Sequence, residues 1–263
     1  MNLHCIGDSH CAFFLGYDHM PDEYPQVTRS LFRNVFCHRL GPSLAYNAYQ
    51  YGTTTRTREK IETLLSELDS RSDIILLSFG EIDCRAHILK QCQQTGKSLN
   101  DVVKGCVDNY WKLIEHVRSA GFRVVVWNAV YSANFMELNP NLEYPYYGTV
   151  QQRNEATECF NRMLANRAAE TSIGFLDITN HLLDASGNTT NSAYYFDSIH
   201  LNQKLFVRVM MMLNSRMPVP VFSKWQFVSY PLRLAMKQLD GFLRNKRTKL
   251  INRIQHAKDR QGK

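Results

Sequence analysis

Asn2-Leu3-His4-Cys5-Ile6-Gly7-Asp8-Ser9-His10 is the stretch of sequence that decides how this chain folds. Residues 2–6 are predicted to form a short buried strand, and Gly7 permits a tight turn directly after it. In an open parallel sheet, ligands bind at the carboxyl edge of the strands. The turn is therefore expected to carry Asp8, Ser9 and His10 to the edge of the sheet where a site would form.

A second polar motif, Asp197-Ser198-Ile199-His200, lies towards the other end of the sequence. It places a carboxylate three residues before an imidazole, so that a single loop can orient the ring. A serine, a histidine and an aspartate are the parts of a hydroxyl nucleophile, its base and the group that orients the base. Ser9, His200 and Asp197 are therefore the candidate catalytic residues.

Strand-like and helix-like patterns alternate between the two motifs. The predicted strands lie at 2–6, 34–39, 73–79, 122–128 and 173–176, and the predicted helices lie at about 56–70, 99–120, 151–171 and 202–216. Such alternation predicts an α/β fold, a three-layer α/β/α sandwich around a mainly parallel sheet of about five strands.

This layout resembles the SGNH/GDSL hydrolase superfamily, over roughly residues 1–217. The resemblance implies a flavodoxin-like sheet and makes Ser9 the nucleophile, His200 the general base and Asp197 its orienting partner. It also implies an oxyanion hole that uses the backbone N–H groups of Ser9 and Gly41. The implied activity is that of a serine esterase or O-acyltransferase.

The third sequence block of that superfamily, Gly-x-Asn-Asp, is altered in this chain. Here it is Gly80-Glu81-Ile82-Asp83, so Ile82 stands where the family's asparagine donates to the oxyanion. Loss of one such donor typically costs about 10²–10³ in rate. Either the side-chain amide of Asn47 or Asn128 replaces it, or this branch uses a different site.

Glu81, Asp83 and Arg85 place three ionisable groups directly after a predicted central strand. One interpretation is a substrate-binding site, in which Arg85 holds a carboxylate or phosphate through two hydrogen bonds and an acid fixes its orientation. The other is a structural ion-pair network that ties loops together. The sequence favours neither.

The composition is that of one enzyme-sized domain with a different C-terminal segment. The chain has 263 residues, 44% apolar and 21% charged, which is enough to bury a full core. Its net charge is +7, yet residues 224–263 alone carry +9, which leaves −2 for the remainder. We therefore divide the chain into an α/β domain, 1–220, and a basic amphipathic helical tail, 221–263.

The tail also carries apolar residues at helical spacing, including Leu232, Met236, Leu239 and Leu243, after an aromatic Trp225. A basic helix with aromatic anchors suits an anionic membrane surface. The alternatives are a partner helix, a solvated terminal helix and, less favoured, a nucleic acid.

Several patterns bear on location and cofactors. No apolar run is long enough to span a membrane, the start lacks a signal-peptide pattern, and the seven cysteines are scattered as in reduced proteins. We expect a cytoplasmic protein, or one peripheral on the inner face of the membrane. We expect no cofactor, and no metal because paired ligand spacing is missing. The sequence leaves the oligomeric state open.

The sequence as a whole predicts a serine-dependent acyl-ester hydrolase that acts on a small-molecule or glycan ester. Residues 129–150 are rich in Tyr and Asn and are predicted to overhang the site, which suggests O-acyl groups of a bacterial surface glycan as the substrate. Two alternatives remain: an O-acyltransferase that uses the same three residues, and a non-catalytic binding or assembly protein, which the Ile82 departure favours.

Overall fold

The structure is a computed structural model that describes residues 1–133, 145–171, 173–217 and 220–261, except for the side chains of residues 245 and 250–261. Part of the predicted 129–150 flap therefore lies outside the described residues. The chain forms two compact units, Met1–Phe222 and Ser223–Lys263, and each is described by itself.

A six-stranded sheet forms the centre of the first unit, with the strand order β2-β3-β1-β4-β5-β6. The five parallel strands are β1 (Asn2–Gly7), β3 (Val35–Arg39), β4 (Asp73–Ser78), β5 (Arg123–Trp127) and β6 (Gly174–Leu176). They correspond to the five predicted strands. The sixth, β2 (Thr28–Arg29), pairs antiparallel with β3 at the edge, and its two residues are too few to carry a periodic pattern.

Helices connect the parallel strands. They are α1 (Thr57–Glu67), α2 (Ile88–Thr95), α3 (Leu99–Ser119), α4 (Val150–Thr171), α5 (Thr179–Leu182) and α6 (Phe206–Ser215). Shorter turns are the 3₁₀ helices Ser9–Leu15, Ala45–Asn47, Ser192–Tyr194 and Gln203–Leu205, and a π-helical turn at Asp83–His87. The prediction missed the short helices α2 and α5. In α2, Ile88 is the one fully buried residue, so the sequence shows no apolar face.

Apolar side chains cover both faces of the sheet, because successive residues of a strand point to opposite sides. One core cluster joins Ile6, Leu77 and Val126 to α1, α3 and α4. On the other face, the Trp127 ring lies 5.4 Å from Phe13 and 4.9 Å from Phe14 between ring centroids. The fold is thus the predicted α/β/α sandwich with a mostly parallel sheet.

Strand β1 is central, between β3 and β4, and its carboxyl end carries the Gly-Asp-Ser turn. Gly7 is required there because an added Cβ would lie 2.0 Å from the carbonyl oxygen of Ser78. The next N–H, that of Asp8, donates to the same carbonyl at 3.1 Å. The turn that holds Ser9 is therefore fixed tightly against the end of β4.

The second unit contains the helix α7 (Lys224–Gln261), which has 38 residues. Its first residues up to Lys249, residue 245 excepted, have described side chains. Among the helices in the described parts of the chain, none is long and apolar enough to cross a membrane.

Candidate active site

Ser9 and His200 meet at the carboxyl edge of the sheet. Ser9 begins the 3₁₀ helix that follows β1, and His200 precedes α6. The Oγ atom of Ser9 lies 2.7 Å from Nε2 of His200. The His200 ring is almost completely buried, whereas Ser9 is partly exposed. This is the separation and exposure that a hydroxyl nucleophile and its base require.

Asp197 holds the other side of the His200 ring. Its Oδ2 lies 2.6 Å from Nδ1 of His200, while its Oδ1 accepts the N–H groups of Ile199 at 2.9 Å and His200 at 2.7 Å. One carboxylate therefore closes the loop and orients the ring at the same time. The three-residue spacing in the sequence produces this geometry directly, because the loop turns back on its own side chain.

The electrostatics favour a neutral imidazole and an ionised acid. Burial lowers the pKa of His200, and the hydrogen bond that its Nδ1–H donates to Asp197 only partly opposes this effect. Burial alone would raise the pKa of Asp197, but the hydrogen bond that it accepts from the His200 ring and the two backbone N–H donors hold this pKa below its usual value. A neutral His200 can accept a proton from Ser9 near neutral pH.

His10, the residue after Ser9, is buried beside this pair. Its ring centroid lies 5.0 Å from that of His200, and its Nε2 lies 3.0 Å from Oε2 of Glu81. Glu81 in turn accepts from Nε of Arg85 at 2.8 Å. A buried chain of alternating charge therefore runs from Arg85 through Glu81 to the neighbourhood of His200.

The charges in this chain support one another. Burial would raise the pKa of Glu81, but Arg85 and His10 lower it to about 2. Burial would lower the pKa of His10, but the Glu81 carboxylate raises it and so favours the imidazolium. Asp8, which caps the 3₁₀ helix by accepting the His10 N–H at 2.8 Å, is fully buried, and burial raises its pKa to about 7.

Two backbone N–H groups are available as oxyanion donors. Within the described residues, neither the Ser9 N–H nor the Gly41 N–H donates to another group of the protein. Gly41 follows β3, the neighbour of β1, and the preceding Leu40 N–H donates to Gly7 at 2.8 Å. Gly41 has a φ of +98°, and an added Cβ would lie 2.8 Å from the Glu23 carboxylate. The loop therefore requires glycine at this position.

Residues 5–205 match the model of the GDSL-like lipase/acylhydrolase family. The chain belongs to this family. The matched range includes the whole Gly-Asp-Ser turn and the Asp197-x-x-His200 loop, which the geometry brings together. No curated protein matches the chain.

Several solved structures are similar to the chain at low sequence identity. A GDSL-like lipase from Bacteroides thetaiotaomicron has a TM-score of 0.48 at 12% identity, covering 82% of this chain and 86% of that one. Phospholipase A1 from Streptomyces albidoflavus has a TM-score of 0.44 at 15% identity, covering 82% of this chain and 99% of that one. A catalytic mutant of an acetylxylan esterase from Geobacillus stearothermophilus has a TM-score of 0.46 at 12% identity, covering 85% of this chain and 96% of that one.

The departure from the family's third block is visible in the fold. Ile82 directly precedes the π-helical turn Asp83–His87, and its side chain has no hydrogen-bond donor. Asn128 does not fill the gap, because its Nδ2 already donates to Ala129 O at 3.0 Å and Thr179 Oγ1 at 3.2 Å. Its Oδ1 accepts the Ile178 N–H at 3.2 Å. The geometry therefore disfavours Asn128 as an oxyanion donor and makes it a brace between the ends of β5 and β6.

Asn47 ends the 3₁₀ turn Ala45–Asn47 and is half-buried. Its side chain lines a cavity of about 570 Å³ together with Asp83 and His87. Ser9 and His200 are not among the residues that line this cavity. The role of the Asn47 amide as an oxyanion donor stays a prediction, which the kinetics of Asn47→Ala would test.

Asp83 anchors a loop. It is fully buried, and its two oxygens accept the N–H of Ala45 at 2.7 Å and of Tyr46 at 3.1 Å. Burial raises its pKa, although these two donors oppose the change. Asp83 is thus engaged with the loop that carries Gly41, which disfavours direct substrate binding.

Arg85 is likewise engaged within the protein. Its Nη1 donates to the carbonyl of Pro145, its own carbonyl accepts the Tyr147 N–H at 2.9 Å, and the residue is 4% exposed. Of the two interpretations of Glu81, Asp83 and Arg85, the geometry favours the structural network that ties loops together.

The structure also places His10, which is not among the catalytic residues predicted from the sequence, beside the His200 ring. In a 3₁₀ helix, consecutive side chains diverge by about 120°, so Ser9 and His10 flank His200 rather than face opposite sides of a sheet. The signal in the sequence was the adjacent pair Ser9-His10 together with Glu81 at the end of the neighbouring strand. Only the strand order shows that these ends lie side by side.

Proposed function

We propose that this protein is a serine esterase in which Ser9 is the nucleophile, His200 the general base and Asp197 the group that orients it. The observation that carries this proposal is the unbroken contact from Ser9 Oγ to His200 Nε2 at 2.7 Å and from His200 Nδ1 to Asp197 Oδ2 at 2.6 Å. Membership of the GDSL-like lipase/acylhydrolase family supports acyl-ester chemistry.

The first half of the reaction transfers the acyl group to the enzyme. His200 Nε2 takes the proton of the Ser9 hydroxyl as Oγ attacks the ester carbonyl carbon. The N–H groups of Ser9 and Gly41 bind the oxyanion that forms. His200 then gives the proton to the alkoxy oxygen, and the carbon–oxygen bond breaks. The alcohol departs, and the acyl group remains on Ser9 as an ester.

The second half restores the free enzyme. His200 takes a proton from water, the hydroxide oxygen adds to the acyl carbon, and collapse of the tetrahedral intermediate releases the acid while the proton returns to Ser9 Oγ. An alcohol in place of water would give transfer instead of hydrolysis through the same steps. With Ile82 in the third block, we expect a rate about 10²–10³ below that of a site with a complete oxyanion hole.

A polar cavity supports a glycan ester as the substrate. The cavity has a volume of about 800 Å³, within the usual range for ligand sites, and lies after the carboxyl ends of β5 and β6, the same edge of the sheet that bears Ser9. Uncharged hydrogen-bonding side chains dominate its lining, among them Tyr131, Asn154, Thr179, Asn180 and Thr189. Such groups suit the hydroxyls of a neutral sugar better than an acyl chain. Ser9 and His200 are not among the lining residues, so we assign this cavity to the glycan and not to the reacting ester group.

The test of the chemistry is covalent labelling together with turnover. A fluorophosphonate probe should label the full-length protein and should not label Ser9→Ala, and hydrolysis of p-nitrophenyl acetate should be lost in parallel. Ser66→Ala changes an exposed serine on α1 and serves as the matched control. Labelling of Ser9→Ala at the wild-type level, or a folded wild-type protein that neither reacts with the probe nor turns over the ester, would favour the non-catalytic alternative.

The test of the substrate class compares esters of different alcohols. Asn180→Ala should raise the KM for acetate release from an O-acetylated polysaccharide and leave p-nitrophenyl acetate hydrolysis unchanged, because Asn180 is exposed and lines only the cavity. An equal effect on both substrates would contradict the glycan assignment. Adding a sugar acceptor and measuring acylated acceptor against free acetate separates transfer from hydrolysis.

A further inference from the structure

The helix α7 carries an exposed apolar stripe, defined here as Trp225, Val228, Leu232, Met236, Leu239, Phe242 and Leu243. Their exposed fractions run from 55% to 71%. In the described parts of the chain, twelve large hydrophobic residues are exposed, and these seven are the majority. The exposure is therefore concentrated on one element, which distinguishes it from the single apolar residues scattered over most protein surfaces.

The stripe occupies one face of the helix. Its members recur every three or four residues, with Phe242 and Leu243 both at this spacing from Leu239, and at about 100° per residue they fall within an arc of about 120°. An apolar arc of this width is what a helix normally buries against a core or another apolar medium. The stripe extends over 19 positions, from Trp225 to Leu243, so it runs for about 27 Å along the helix.

Basic side chains lie on both sides of the stripe. Arg233 and Arg247 lie on one flank, about 80–120° from the centre of the stripe, and Lys224 and Lys249 lie on the other, about 60–80° from it. Among the side chains of the helix that the structure describes, Asp240 is the one acidic residue, and its carboxylate lies 3.0 Å from the Arg244 guanidinium. Long basic side chains beside an apolar face can reach headgroup phosphates while the face itself is buried.

We propose that α7 docks the protein on an anionic lipid surface, with the apolar stripe at the acyl boundary and the flanking cations on the headgroups. Charge complementarity selects this occupant. A second copy of the helix would bring together two helices of net charge +8 each, which repel one another. A nucleic acid would match the charge but leave the seven apolar side chains in water.

The charge distribution also makes the attraction local to this segment. Residues 1–223 carry a net charge of −2, so the first unit offers no general attraction to an anionic surface. Each basic residue near such a surface strengthens binding about fivefold, and this part is screened by salt over about 10 Å at 0.1 M. Burial of the apolar stripe supplies a part that salt does not weaken.

The test uses the full-length protein and co-sedimentation with vesicles of phosphatidylcholine, with and without phosphatidylserine. We expect binding to require phosphatidylserine, to weaken at high salt, and to fall at least about tenfold in the triple variant Leu232→Gln, Leu239→Gln, Leu243→Gln. Gln238→Ala, an exposed change off the stripe, is the control and should bind like wild type. Circular dichroism verifies that each variant retains its helix content.

The outcomes separate this proposal from its alternatives. Equal binding to both kinds of vesicle, or a triple variant that binds as well as wild type, would overturn it. A dimer seen by light scattering that the triple variant loses, without vesicle binding, would assign the stripe to a second copy. Binding to DNA that the triple variant retains, without vesicle binding, would assign the segment to nucleic acid. Hydrolysis of a soluble ester should be the same in all variants, so a failure here leaves the proposed esterase activity untouched.

Discussion

The carboxylate of Asp83 lies 2.7 Å from the backbone nitrogen of Ala45 and so joins the loop after β4 to the loop after β3. These two loops flank the turn that carries Ser9, because β1 lies between β3 and β4 in the sheet. A single buried acid therefore clamps both sides of the nucleophile's turn, and Gly41 lies within the clamped loop.

Replacing Asp83 with alanine should destabilise the protein and slow the reaction. Two N–H groups, those of Ala45 and Tyr46, would lose their acceptor, at a cost of about 1–3 kcal/mol for a buried group. Asp83→Asn keeps one side-chain oxygen and should lose less. Urea unfolding measures the stability, and kcat/KM for a soluble ester measures the effect on the site. If Asp83→Ala is as stable and active as wild type, the clamp has no role.

Asp197→Asn tests the orientation of His200. The amide cannot both accept from Nδ1 and stabilise an imidazolium, so kcat should fall by about 10²–10⁴ with little change in KM. Asp177→Asn is a control at an exposed aspartate that accepts the Thr179 N–H at 2.8 Å outside the site. A loss of less than about threefold in Asp197→Asn would rule out the proposed role for Asp197.

The pH profile should report the neutral form of His200. Because its pKa is lowered, kcat/KM should stay high as the pH falls to 6.5 and decline only below that value. Asp197 raises this pKa and His10 lowers it. The acidic limb should therefore move to lower pH in Asp197→Asn and to higher pH in His10→Gln. Displacements in the same direction would contradict the charge arrangement described here.

Glu81→Gln should be strongly destabilising. Glu81 is the buried anion between His10 and Arg85, with contacts of 3.0 Å and 2.8 Å. Removing one partner of a buried charge pair typically costs about 3–5 kcal/mol, because the remaining cations lose their counter-charge. Glu115→Gln removes a half-exposed partner of Arg118 and should change the free energy of unfolding by less than about 1 kcal/mol. Similar losses in both variants would show that the Glu81 pairs contribute no more than a surface pair.

The sequence predicted those parts of the site that local patterns specify. Ser9 follows a recognisable strand, and Asp197 and His200 are three residues apart, so the position and the pairing of these groups could be inferred. The five parallel strands were also predictable. Two of them carry continuous apolar runs, Ile74-Ile75-Leu76-Leu77 and Val124-Val125-Val126, and the others carry shorter apolar stretches between the helical patterns.

The remaining features depend on contacts between distant residues. No local sequence pattern shows that the Asn128 amide is hydrogen-bonded to Thr179 and Ile178, which are 50 positions or more away. Nor does any local pattern show that Asp83 contacts Ala45 across 38 positions. Glu81 and Arg85 have the spacing of a helical ion pair in the sequence, but the identity of the third member, His10, depends on the order of the strands. Such contacts follow from the assembled sheet.

Ser9 and His200 are 191 positions apart, and this separation has a consequence in time. At about 5–20 residues per second, a ribosome needs roughly 10–40 s to pass from the serine to the histidine. Throughout that interval the serine has no base, although both neighbours of β1 in the sheet are already synthesised once the chain has passed Ser78. A nascent or prematurely ended chain thus carries an inert hydroxyl, and acyl transfer becomes available only when the last loop of the sandwich has closed.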